Sequence, residues 1–126
     1  MNPVTTEWIG KAEGDFAVAV REAGNTPSPN FDVVCFLSQQ CAEKYLNALL
    51  VEAAVDFPKI HDLEALLSLL LPTFPGLDSL RGKLMSLSDM AVEVRYPGFS
   101  ADKEDAEEAL ELARVVREEA RGILCP

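Results

Sequence analysis

The chain has 126 residues, with 21 acidic against 11 basic side chains and a formal net charge of -10. That length suits one domain around one core, and the acidity argues against broad nucleic-acid binding, which needs Lys and Arg to neutralise phosphate. The single histidine excludes a His-rich zinc site and the paired Glu-x-x-His pattern of di-metal bundles.

Proline and glycine punctuate the chain near 24–29, 57–59, 72–76 and 96–98, and five segments between them have helical periodicity. The first runs from about Thr6 to Ala23, with Thr5 or Thr6 as cap, Glu7 in the first turn and Trp8, Ala12, Phe16 and Ala19/Val20 on the apolar face. Asp15 lies beside that face, where a carboxylate needs a partner. The second runs from the N-cap Asp32 to about Ala54. Its β-branched opening is outweighed by the helix formers of QQCAEKYLNALLVEAA. The third is a short leucine-rich helix, Asp62 to Leu71, stopped by Pro72. The fourth follows Gly76 with Leu77, Leu80, Leu84, Leu87, Ala91 and Val94 as its seam. The fifth runs from about Lys103 to Leu124. No strand is expected. The fold class is all-α, an up-and-down bundle of four to five helices, with residues 1–126 forming a single domain and the long 55–76 connection carrying the short helix.

Cys35, Cys41 and Cys125 form no C-x-x-C, and the odd number reads as reduced thiols in a cytoplasmic protein. The first fifteen residues lack the apolar core of a signal peptide, and no uncharged apolar stretch approaches the ~18 residues of a membrane span. Residues 102–111 hold six acidic side chains at the start of the last helix, where the helix dipole favours them. A docking patch for a basic partner is the alternative. Gly76 to Lys83 (GLDSLRGK) fails as a P-loop, with five residues between its glycines and Leu84 in the magnesium position.

Three polar strings are candidates for chemistry. In Gln39-Gln40-Cys41-Ala42-Glu43-Lys44, Gln40 and Lys44 share a helix face and can present donors to one ligand. Lys59-Ile60-His61-Asp62-Leu63 precedes the third helix. In Glu93-Val94-Arg95-Tyr96-Pro97-Gly98, the proline stops the fourth helix and sets Arg95 at its C-terminus. Trp8 with Ala12 and Asp15, then CFLSQQCAEKYLNALL (35–50), FPKIHDL (57–63), VEVRYPG (92–98) and DAEEALELA (105–113), resemble in order and spacing a HEPN domain of the small prokaryotic type, from residue 8 to about 124.

The resemblance implies a bundle that usually forms a homodimer and is commonly encoded beside a minimal nucleotidyltransferase, many such pairs acting as toxin and antitoxin. It implies no cofactor and no metal: active members are metal-independent ribonucleases. They use an arginine followed after four to six residues by histidine, at a cleft between protomers. Arg95 matches the arginine, but Ser100, Ala101 and Asp102 stand where the histidine would fall. RNA cleavage needs groups that exchange protons with the 2′-OH and the leaving oxygen. Histidine suits both tasks, whereas arginine is a poor proton shuttle. His61 is the sole candidate to substitute.

The resemblance also places Tyr96 loosely where some family toxins are modified by the partner transferase. Each residue has a plain structural alternative. Arg95 would pair with Asp15 or Glu93, His61 would close the start of the third helix, Lys44 and Glu43 would form interhelical salt bridges, and Tyr96 would pack. The expected function is a binding or regulatory module that works with a nucleotidyltransferase. It would hold a nucleotide or RNA phosphate in a polar cleft of Arg95, His61, Lys44, Gln40, Asp15, Asp62 and Tyr96. The alternatives are a ribonuclease toxin with a degenerate motif, its catalytic residues Arg95 and His61, and a purely structural dimerisation unit.

Overall fold

A computed structural model describes residues 1–125 and contains, among them, five α-helices, one 3₁₀ helix and no strand. The α-helices are α1 (Pro3–Ala23), α2 (Phe31–Glu52), α3 (Leu63–Leu70), α4 (Arg81–Glu93) and α5 (Lys103–Leu124). No described helix is long and apolar enough to cross a membrane.

The helix starts differ from the sequence expectation in an instructive way. Asn2 caps α1 by accepting from the Val4 N–H, so Pro3 occupies the first turn, where a missing N–H costs nothing. Thr5, expected as a cap, is buried, and its hydroxyl donates to Glu52 at 3.0 Å. Asn30 rather than Asp32 caps α2, which frees Asp32 to accept from the Ala101 N–H at 2.7 Å. The fourth segment begins as a 3₁₀ helix, Pro75–Leu80, before α4. Asp62 caps α3 as expected. At the other end of α2, Ala54 takes a left-handed φ of 56°, and the Val55 N–H returns to the Leu50 carbonyl at 2.9 Å, closing a Schellman-type turn. The acidic run is largely a helix-start device. Asp102 and Asp105 form a reciprocal capping box, and Glu107 and Glu111 pair with Lys103 and Arg114.

Helix directions follow from contacts between helix ends. Glu52 reaches the start of α1 while Glu22 accepts from the Asn30 N–H, so α1 and α2 are antiparallel. The Asp32–Ala101 bond joins the starts of α2 and α5, so these run parallel. With α4, they make the up-and-down bundle, and α3 lies against α2 and α4. Helix α2 touches each of the other four α-helices, and thirteen of its 22 residues are buried, which makes it the central element. Leu46, Leu49 and Leu50 pack there with Leu63, Leu66, Leu67, Leu84, Leu87 and Val116. Burial pushes the Cys35 and Cys41 thiols up to about 11 and about 12, so both are neutral apolar fillers.

A charged cluster clamps α1, α2 and α5. Arg117 makes a two-pronged bond to Glu13 at 2.6 and 2.7 Å, Tyr45 donates its hydroxyl to the same carboxylate, and Arg121 approaches both. The bond from Arg117 is the main reason that the Glu13 carboxyl titrates below its ordinary value, against the opposing pull of burial. A carboxyl whose pKa is lowered on folding stabilises above its unfolded pKa of 4.5, and that contribution is lost as pH falls through the folded value. Glu13→Ala is expected to cost about 2 kcal/mol at pH 7, read by urea unfolding. Glu13→Gln should flatten the loss of stability on acidification below pH 4.5 relative to wild type; an unchanged acid limb would exclude Glu13 as its source.

Candidate functional site

Helix α2 is covered on most of its surface, yet it carries Gln39, Glu43 and Asn47 at successive i,i+4 steps, each buried. Buried polar groups need partners. Gln39 Nε2 donates to Glu43 Oε1 at 3.4 Å and lies 3.5 Å from the His61 carbonyl oxygen. His61 Nδ1 stands 3.0 and 3.1 Å from the two Glu43 oxygens. A carboxylate only accepts, so Nδ1 carries the proton and donates it, and Nε2 is the nitrogen left for another partner. The Glu43 side chain is 6% exposed and that of His61 75%, so a buried acid orients an exposed imidazole.

His61 does not close α3. Asp62 does that, its Oδ1 accepting from the Glu64 and Ala65 N–H groups. The backbone between α2 and α3 thereby fixes both residues at one edge of a cleft of about 270 Å³, whose lining includes Gln39, His61, Asp62, Ser88 and Arg95. Arg95 enters it because α4 ends at Glu93 and the chain turns there, the Arg95 N–H donating to the Val92 carbonyl at 3.2 Å. The expected pairing of Arg95 with Asp15 or Glu93 is absent among the described residues. Its guanidinium instead lies 5.6 Å from the centre of the Phe36 ring. On its other side, Arg95 borders a second hollow of about 410 Å³ with Asn30, Asp32, Val33 and Phe36.

Three of the expected site residues, His61, Asp62 and Arg95, are therefore brought together. Asp15 and Lys44 form their own ion pair between α1 and α2, each about one-fifth exposed. Lys44 and Gln40 are not presented as a donor pair, because Gln40 Nε2 donates to Gln39 Oε1 at 2.8 Å while Lys44 turns to Asp15. Tyr96 follows Arg95 but is 65% exposed, so it is not a packing residue. Sequence reasoning left Phe36, Ser88 and Asn47 out of the site, and it noted Gln39 and Glu43 in a candidate polar string without placing either among the site residues. The i,i+4 repeat of three polar residues on the most apolar long helix was the available signal. Among the described residues, no three His, Cys, Asp or Glu side chains gather so as to hold a metal ion.

The HEPN domain family model matches residues 5–123, and the chain belongs to that family. Two solved structures share the architecture. One is TT1696 from Thermus thermophilus, with a TM-score of 0.81 at 21% identity over 94% of this chain and 96% of that one. The other is ST0689, an archaeal HEPN homologue, with a TM-score of 0.68 at 25% identity over 94% and 95%. No curated protein matches the chain.

Since His61 is the one histidine, its tautomer can be read directly by ¹⁵N NMR. The Nδ1–H form is expected to dominate in the neutral ring, and Glu43→Ala should shift the population toward Nε2–H. An unchanged tautomer ratio in the variant would show that Glu43 does not orient the ring.

Proposed function

We propose that this chain is a HEPN-type binding and regulatory protein. It acts as a cytoplasmic homodimer beside a minimal nucleotidyltransferase, and it holds a nucleotide or RNA phosphate in the Arg95 cleft. The observation that carries this reading is the state of Arg95. Arg81, Arg114, Arg117 and Arg121 are each held by carboxylates. Arg95 and Arg21 have no ion-pair partner among the described residues, although the chain carries a net charge of -10, and of the two it is Arg95 that lines the cleft. A guanidinium kept unpaired at a concave, hydrogen-bonding surface fits a phosphate with its planar fork. The neighbouring Asp62 accepts from two backbone N–H groups on its Oδ1, and His61 leaves its Nε2 for another partner. The dimer and the transferase partner rest on family membership.

A second reading, ribonuclease activity, is favoured by one further observation: His61 and Arg95 line the same cleft. In such a reaction the 2′-oxygen attacks phosphorus as its proton passes to a base. The bond to the 5′-oxygen then breaks, and that oxygen is protonated. Arg95 would stabilise the charge at phosphorus, and His61 Nε2 would exchange the protons.

Calorimetric titration with a short single-stranded RNA and with AMP separates these possibilities. Arg95→Ala is expected to weaken binding roughly 10- to 100-fold, the worth of a charge-assisted bond, with thermal stability nearly unchanged. Equal binding by wild type and variant would overturn the proposal. Cleavage of RNA in EDTA, lost in both Arg95→Ala and His61→Ala, would establish the enzyme reading, and RNA left intact by wild type would exclude it.

A further inference from the structure

The third member of the buried stripe on α2 has no hydrogen-bond partner among the described residues. Asn47 is 5% exposed, and its Oδ1 is the one buried side-chain polar atom without a hydrogen bond among the described residues. Asn47 lines a cavity of about 300 Å³ that is separate from the Arg95 cleft but shares His61 with it. The cavity is mostly apolar. Trp8 and Phe57 supply aromatic surface, Ile60 an aliphatic wall, and the exposed Lys59 and His61 its polar mouth. A buried amide oxygen without a hydrogen bond is costly, and a ligand that brings a donor to Asn47 relieves that cost. A half-turn of the carboxamide exchanges its oxygen and nitrogen without changing its shape, so Asn47 can meet a ligand edge carrying an adjacent donor and acceptor. Adenine has that edge, an exocyclic amine beside a ring nitrogen, and pairs with an asparagine amide in both positions. Its flat face suits aromatic walls.

We propose that this cavity takes the adenine base of a nucleotide whose phosphate lies toward His61 and Arg95. The proposal rests on the reading of the Arg95 cleft as a phosphate site and adds base recognition to it.

Trp8 is the only tryptophan and lines the cavity, so its emission reports occupancy without a label. Titration with AMP should change Trp8 fluorescence saturably. Purine riboside 5′-monophosphate, which lacks only the exocyclic amine, should bind at least tenfold more weakly. Asn47→Leu should reduce AMP to the level of the analogue, whereas the near-isosteric Asn47→Asp, which keeps the acceptor for the amine and loses only the donor to a ring nitrogen common to both ligands, should weaken both and not narrow the ratio. Arg95→Ala should weaken both ligands and leave their ratio intact. Arg95-dependent binding with equal affinity for the two ligands, or with Trp8 emission unmoved, would overturn the base cavity while leaving the phosphate reading in place. The wild-type comparison decides this even where an Asn47 variant fails to fold. No binding of either nucleotide would overturn both.

Discussion

The structure turns on a conflict within α2. This helix is the centre of the bundle and is covered by every other α-helix, yet one of its edges carries Gln39, Glu43 and Asn47. Burying such groups without hydrogen bonds costs more than their neighbours' apolar contacts return. The chain resolves most of the conflict with a single loop. Residues 57–62 fold back along α2, and His61 supplies a ring nitrogen to Glu43 and a carbonyl to Gln39. The same placement draws His61 and Asp62 up to the end of α4, where Arg95 waits. A folding requirement thus brings His61, Asp62 and Arg95 to one cleft.

The arrangement also divides the labour among charges. Glu13, Arg117, Tyr45 and Arg121 satisfy one another at the α1–α2–α5 junction, and Lys44 is consumed by Asp15. These groups are partnered within the fold. Arg95 is held differently, by the face of Phe36 and by the turn that ends α4, so its hydrogen-bonding fork stays available. The lone histidine has a similar position. One nitrogen is committed to a buried acid and the other is not.

Much of this was legible in the sequence, and for identifiable reasons. The leucine and alanine spacing of α4 and α5 gave the bundle, because a helix must bury its apolar stripe. The strings around Arg95 and His61 marked the two loops that meet. Helix starts were less legible, since Asn2 and Asn30 compete with nearby Thr and Asp residues that cap equally well, and only the tertiary contacts of Thr5 and Asp32 decide between them. The grouping of Lys44 and Gln40 with Arg95 failed because shared helix face says nothing about which neighbouring helix supplies a partner. Asp15, one helix away, took the lysine. The i,i+4 spacing of Asn47 from Glu43 marked it as a polar residue on the buried stripe, but its missing partner is a tertiary fact that no sequence pattern encodes.

The central claim is that one ligand is held where the loop before α3 meets the end of α4. The most direct measurement is NMR titration with AMP, following the Arg95 side-chain Nε–H and the His61 ring resonances together. The expected result is that both shift saturably with a single affinity, while the Nε–H signals of the carboxylate-paired Arg114 and Arg117 stay still. If Arg95 and His61 do not move, or if the perturbation is confined to exposed lysines, the cleft is not a ligand site and its polar groups serve the fold alone.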